Sequence, residues 1–237
     1  KSTLAFLAAA ALGVAGAAVF RLGRDAALWL LPAAVLFIAS AGSSYNIGIR
    51  HLLPAFPFLA LAAAAALARL RSAGGRKAAA GAALMVVLPL AAAAETARIH
   101  PHELSYFNPL AGGPVGGRKI LTDSNVDWGL DLRRLAAELR RRGVKDPTVV
   151  YFGGDDVLYR IGVPDFSAEP RVRGSLVAVS AFHLAVGPLY YAYHGATGVA
   201  ASLENLLREI AARGRPAGRI GYSMYLFELP PREPPTK

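Results

Sequence analysis

Four long apolar runs in the first part of this chain constrain its fold more than any other feature. They cover residues 3–20, 26–41, 52–68 and 78–94, and each holds 16 to 18 residues without a charged side chain. A helix of 17 residues is about 26 Å long, close to the roughly 30 Å of a bilayer's hydrocarbon core. The runs predict four transmembrane helices. The alternative interpretation is a buried helical bundle in a soluble protein.

The distribution of charge divides the chain into two parts. Up to residue 97 there are 8 Lys and Arg and 2 acidic residues, whereas the rest has 18 and 14. The excess of cations lies at the ends of apolar runs, as in membrane proteins, so nucleic acid is not expected as a partner. We therefore predict transmembrane helices over 1–97, a soluble domain over 98–229 and a disordered tail over 230–237.

The orientation of the helices follows from the basic residues in the short loops. The loop between the second and third runs has only Arg50 as a fixed cation, while the other two loops are rich in arginine. Basic loops remain in the cytoplasm, which places the domain after residue 97 outside the cytoplasmic membrane. Because Lys1 directly precedes an apolar run, we interpret the chain as the C-terminal piece of a longer polytopic protein. The cytoplasmic cations are Arg21, Arg24, Arg69, Arg71, Arg76 and Lys77.

The predicted outer loop carries the first candidate site. Arg50 and His51 stand directly before the third apolar run. A guanidinium and an imidazole at the membrane interface can bind a phosphate or a lipid headgroup. The alternative is that Arg50 only anchors the helix end by extending to the interface.

The second part of the chain has the pattern of a small α/β domain. Helical spacing recurs from Leu132 to Leu139 and again over about 200–213. Short stretches rich in β-branched and aromatic residues alternate with these helices, which predicts one mostly parallel sheet. The predicted strands are 119–122, 148–152, 175–180 and 219–229.

A pair of histidines near the start of this part is a second candidate. His100 and His102 flank a proline, in a segment that ends in a glycine-rich loop. Two such imidazoles are a possible ligand pair for a divalent cation. The alternative is a polar loop that packs on the membrane surface.

The segment 121–135 is the third candidate, because it runs from a predicted strand into a helix. Strand-to-helix turns are where α/β domains bind ligands, and carboxylates beside a tryptophan can bind a divalent cation or sugar hydroxyls. The alternative is a capped helix in which an aspartate pairs with Arg134. The candidate residues are Asp123, Asn125, Asp127, Trp128 and Asp131.

The motifs of several enzyme classes are absent from the sequence. The chain has no cysteine, which excludes thiolate catalysis and cysteine-ligated metals. It also lacks the glycine-rich nucleotide motifs, the zinc-protease motif and the nucleophile-elbow motif. No catalytic constellation is identified from the residues alone.

Four stretches together resemble a known family. They are NIGIRHLLPAFPFL, HPHELSYFNPLAGGP, LTDSNVDWGLDLRRL and IGYSMYLFEL, and they extend over about 46–229. They are similar to the C-terminal part of bacterial membrane glycosyltransferases of the glycosyltransferase C superfamily. The dolichyl-phosphate-mannose–protein mannosyltransferases and the lipid A aminoarabinose transferases are of this type.

This resemblance implies an enzyme that takes a sugar from a polyprenyl-phosphate donor. The acceptor would be a glycan, lipid or protein on the outer face of the bacterial cytoplasmic membrane, and membrane lipids would surround the helices. The family's catalytic carboxylate lies in a first external loop that this sequence does not contain, so no catalytic residue is assigned. Two other functions are open: a non-catalytic, membrane-anchored module that binds glycan or a partner, and a metal-dependent hydrolase that uses the histidines and aspartates above.

Overall fold

The computed structural model divides the chain into two compact units. It describes residues 1–20, 23–43, 48–122, 125–153, 162–163, 165–168 and 170–230. The units are Lys1–Gly113 and Pro114–Lys237, so the segment after residue 97 that carries the two histidines belongs with the first unit. The candidate Asp123 and residues 231–237 of the predicted tail lie outside the described residues.

The first unit consists of helices. Helix α1 is Leu4–Val19, α2 is Gly23–Ala41, α3 is Phe56–Ser72 and α4 is Gly75–Ile99. A 3₁₀ segment, Gly48–Ala55, leads directly into α3. Helix α5, Gly113–Gly117, is a short turn that follows the helical unit in sequence.

Three of these helices have the length and composition of membrane spans. Within the described residues they are α2, the continuous segment Gly48–Ser72 and α4, with 19, 25 and 25 residues. Helix α1 is apolar as well but has 16 residues, so the predicted set of four spans is shown only in part.

Large apolar side chains cover the outside of these helices. The exposed fractions are 68% for Leu28, 70% for Ile38 and 63% for Leu90. A soluble bundle would bury such side chains in its interior. The exposure therefore favours a membrane setting over the buried bundle considered above.

Small residues bring α1 and α3 into close contact. A Cβ atom added at Gly13 would lie 2.6 Å from the backbone nitrogen of Ala63, and one at Gly16 would overlap Ala66. Such glycine and alanine contacts let helix backbones approach closely, as they do in membrane helix pairs. This explains why alanine-rich helices with few large core residues can pack together.

In its described residues the second unit is a four-stranded sheet with helices on both faces. Its strands are β1 (Thr148–Val150), β2 (Leu176–Ser180), β3 (Arg215–Ile220) and β4 (Met224–Glu228). Their order is β1-β2-β4-β3. The helices are α6 (Leu132–Arg141), α7 (Ala181–Ala185), α8 (Gly187–Tyr193) and α9 (Thr197–Arg213).

The two faces of the sheet bury the two helices whose spacing was predicted. On one face Leu132, Leu135 and Leu139 of α6 pack against Val149 and Leu226. On the other face, leucine side chains of α9 pack against alternate residues of β1 and β2. The helical predictions for these segments are confirmed, because each apolar stripe faces the sheet.

The predicted mostly parallel sheet is wrong for the described strands. Only β1 and β2 pair in parallel, while β4 is antiparallel to both of its neighbours. The predicted strand 219–229 contains a turn, because Gly221 has a φ of 55° that reverses the chain between β3 and β4. Residues 119–122 form no strand, and Ile120 is 65% exposed.

Candidate functional site

Lys1 and Arg50 are two cationic residues of the helical unit whose charges repel each other. Burial, and next the nearby charge of Arg50, lower the pKa of Lys1 to about 8. The Lys1 ammonium donates a hydrogen bond to the Leu104 carbonyl and lies 4.5 Å from the centre of the Phe107 ring. Arg50 is exposed. An anion placed beside this pair would relieve the repulsion between the two charges.

His51 directly follows Arg50 in sequence and lines a cavity of about 340 Å³. Among the described residues its Nε2 atom is buried and has no hydrogen-bond partner. The Ser40 hydroxyl donates to the His51 carbonyl at 3.2 Å, which fixes the 3₁₀ segment against the end of α2. The structure thus places both candidates of the outer loop where α2 ends and α3 is about to begin.

The two other histidines do not form a metal site with their neighbours. His100 is exposed, and its Nδ1 atom is hydrogen-bonded to Glu103 Oε1 at 2.6 Å. The part of the chain that the structure describes contains no group of three or more His, Asp or Glu that could hold a metal ion. The possible divalent cation therefore has no ligand set among these residues.

Glu95 organises the same end of the helical unit and was not identified from the sequence. Its carboxylate accepts hydrogen bonds from the backbone N–H groups of Leu4 and Ala5, at 3.0 and 3.2 Å. The Tyr106 hydroxyl donates to it at 2.6 Å. A carboxylate at the start of α1 satisfies unpaired N–H groups and suits the helix dipole. The available signal was that Glu95 is one of only two acidic residues before residue 98.

In the second unit the predicted polar residues lie inside the protein. Asn125, Asp127 and Asp131 are 3%, 1% and 2% exposed, whereas Trp128 is 55% exposed. Helix α6 begins only at Leu132, so Asp127 belongs to the preceding turn and not to the helix. Of the described members of this candidate site, Trp128 is the one that a ligand in solution can reach without rearrangement.

Asp131 connects α6 to the hairpin of β3 and β4. Its Oδ1 atom accepts from Arg134 at 2.7 Å, and its Oδ2 atom accepts from the Ser223 hydroxyl at 2.7 Å. A side chain at Gly221 would collide with this carboxylate. The expected Asp131–Arg134 pair is confirmed, and the contact with the hairpin gives Asp131 a structural role.

Asp127 is buried, and only one of its two carboxylate oxygens has a hydrogen-bond partner among the described residues. Its Oδ1 atom accepts from the Gly129 N–H at 3.1 Å, while Oδ2 has no partner among the described residues. Burial raises the pKa of Asp127 to about 6, and the charge of Asp131 adds to this rise. The Gly129 N–H, the Ser180 hydroxyl and the Phe152 backbone act in the opposite direction. The side chain therefore titrates close to the physiological range.

A buried histidine lies in α7, the short helix directly after β2, and the sequence does not identify it. His183 is 1% exposed, with Nδ1 2.9 Å from the Ser180 hydroxyl and Nε2 3.2 Å from the Tyr191 hydroxyl. Burial lowers its pKa to about 4, so the imidazole is neutral at pH 7. No local motif surrounds His183 in the sequence, because its partners are defined by the fold.

A row of aromatic rings extends from Trp128 across this unit. The Trp128 and Phe152 ring centres are 5.3 Å apart, and Phe152 contacts Phe182 at 4.0 Å and Tyr190 at 6.1 Å. His194 continues the row, at 4.5 Å from Tyr190 and 5.3 Å from Tyr193. We call the outer part of this row the aromatic surface; it consists of the exposed Trp128, Tyr190, Tyr193 and His194 and the half-buried Phe152.

Comparison with known proteins does not extend this description. No protein-family model, curated protein or solved structure matches the chain. The class of protein therefore rests on the fold alone. It is a membrane-associated protein with a unit of apolar helices and a separate α/β unit whose small sheet is mixed.

Proposed function

We propose that this chain is part of an integral-membrane glycosyltransferase that uses a polyprenyl-phosphate sugar donor. The transfer takes place at the outer face of the bacterial cytoplasmic membrane, to a glycan, lipid or protein acceptor. The observation that carries the proposal is the exposed Arg50 in the 3₁₀ segment that leads into α3, at the end of apolar helices, where its charge also acts on Lys1. The four motifs that resemble such enzymes point in the same direction.

The proposed chemistry assigns a defined task to this cationic pair. In such a transfer a carboxylate takes the proton of the acceptor hydroxyl, the new glycosidic bond forms, and the polyprenyl phosphate leaves with the bond electrons. Arg50 holds the phosphate and stabilises the negative charge that develops on it. Lys1 contributes a second positive charge. No residue of this chain is assigned as the base.

The alternative expected from the sequence, a glycan-binding module without catalysis, has less support. A sugar site needs polar side chains that reach the hydroxyl groups as well as a ring for stacking. Trp128 supplies the ring, but Asn125, Asp127 and Asp131 are buried. The hydrolase alternative lacks the ligand group that a metal would need within the described ranges.

Arg50→Ala tests the proposal in the intact protein in membranes. Sugar transfer from a polyprenyl-phosphate donor should fall by about tenfold or more, because a charge-assisted contact to phosphate is lost. Arg50→Lys should retain part of the activity, since the charge remains but the bidentate geometry does not. Arg24→Ala, at the opposite end of α2, is the matched control and should leave transfer unchanged. Equal activity of the Arg50 and Arg24 variants would contradict the proposal.

A further inference from the structure

The aromatic surface on the second unit exposes large apolar side chains to solvent. Tyr193 is 85% exposed and Trp128 is 55% exposed. Two aliphatic side chains next to these rings in sequence, Leu130 and Leu189, are 59% and 72% exposed. Exposed apolar side chains that continue one another in this way mark an interaction surface more often than isolated ones do.

The surface is held in place by the core beneath it. Phe182, which contacts both Phe152 and Tyr190, is only 3% exposed. Helix α8 is pressed against α9, since a Cβ atom at Gly187 would lie 2.7 Å from the Leu203 side chain. The exposed rings are therefore presented by a packed scaffold and do not belong to a loose loop.

We propose that the aromatic surface docks on the lipid headgroup region of the membrane. Tryptophan and tyrosine favour that region, because their rings are apolar while their N–H and O–H groups remain hydrated. The neighbouring leucines add apolar area that enters the acyl boundary. A glycan fits less well, because the polar side chains next to Trp128 are buried and the exposed neighbours are leucines.

The attachment of the second unit to the apolar helices favours the membrane as the partner of its aromatic surface. The second unit, which begins at Pro114, follows the helical unit in the same chain. A domain tethered to membrane helices experiences a high effective concentration of lipid surface. Weak interfacial contacts are then sufficient for docking. This inference rests on the proposed function, since it requires that the helices cross a bilayer.

The two tryptophans of the chain provide a direct test in bilayer nanodiscs. Trp29→Phe leaves Trp128 as the single tryptophan, and Trp128→Phe leaves Trp29 in α2 as the internal control. Lipids brominated near the headgroup end of the acyl chain quench tryptophans at the interface. We expect Trp128 to lose most of its emission and to show a blue-shifted spectrum. Leu189→Asp in the Trp29→Phe background should restore most of the Trp128 emission.

The outcomes separate this inference from the proposal on which it rests. Quenching of Trp29 without quenching of Trp128 shows that the helices span the bilayer and overturns docking. The absence of quenching at both positions overturns the membrane assignment itself. If lipid leaves Trp128 unquenched but a soluble mannose oligosaccharide shifts its emission, the surface binds glycan and the lipid proposal is wrong.

Discussion

At the scale of single residues, the buried carboxylate of Asp131 connects two separate segments of the second unit. It is 2% exposed and accepts hydrogen bonds from Arg134 and from Ser223, which is 92 residues away in sequence. Removing a buried acceptor leaves its donors without partners, and this costs more than the hydrogen bonds themselves contribute. Arg134 is different, because 42% of its side chain is exposed and water can replace its partner.

Asp131→Ala should therefore destabilise the hairpin of β3 and β4 much more than Arg134→Ala does. We expect a loss of about 2–4 kcal/mol in the free energy of opening for Asp131→Ala, and less than about 1 kcal/mol for Arg134→Ala. Amide hydrogen exchange of the two strands in the full chain measures both values. Similar losses in the two variants would show that the salt bridge, and not the contact with Ser223, holds the hairpin.

Asp127 and His183 have opposite effects on stability over the same range of pH. Asp127 has a pKa raised from 3.8 to about 6 in the folded protein, so its contribution is lost as the pH rises between these values. His183 has a pKa lowered from 6.5 to about 4, so its contribution is lost as the pH falls through that interval. The two slopes oppose each other, each with a magnitude of about 1.4 kcal/mol per pH unit.

Single variants should reveal the pH dependence of stability that each of the two residues contributes. In Asp127→Asn, stability should rise with pH between about 4 and 6.5, by on the order of 3 kcal/mol, because only the His183 effect remains. In His183→Gln, stability should fall between about pH 4 and 6. Urea unfolding in detergent, followed by Trp128 emission in a Trp29→Phe background, measures both slopes. Parallel pH profiles for the parent and the two variants would contradict this assignment.

At the scale of elements, the sequence predicted those features that depend on local periodicity. The apolar stripes of α6 and α9 and three long apolar helices follow directly from residue spacing. The pairing of the strands does not, because the pattern 219–229 is equally compatible with one strand and with a hairpin. The positive φ at Gly221 allows the hairpin, in which β4 lies between β2 and β3.

Only those contacts of the candidate site that join residues close in sequence could be predicted. The Asp131–Arg134 pair follows from helical spacing. The contact of Asp131 with Ser223 depends on a hairpin far along the chain. The aromatic surface likewise joins Trp128 to Phe152 and Tyr190, which come from three separate segments. No window of sequence contains that information.

At the scale of the whole molecule, the proposed sugar transfer and lipid docking both require that the helical unit crosses a membrane. Its large apolar side chains are exposed, and the last turn of α3 carries Arg69 and Arg71. From the positive-inside rule we expect this basic end in the cytoplasm and the end with Arg50 outside. The proposed binding of the donor phosphate by Arg50 at the outer face requires this orientation.

Impermeant thiol labelling tests that orientation most directly. The chain has no cysteine, so Ser43→Cys and Ser72→Cys each introduce a single label at an exposed position, after α2 and at the end of α3. In intact cells we expect an impermeant maleimide to label position 43 at once, and position 72 only after the membrane is permeabilised. Labelling of both positions before permeabilisation, or of position 72 alone, would contradict the account.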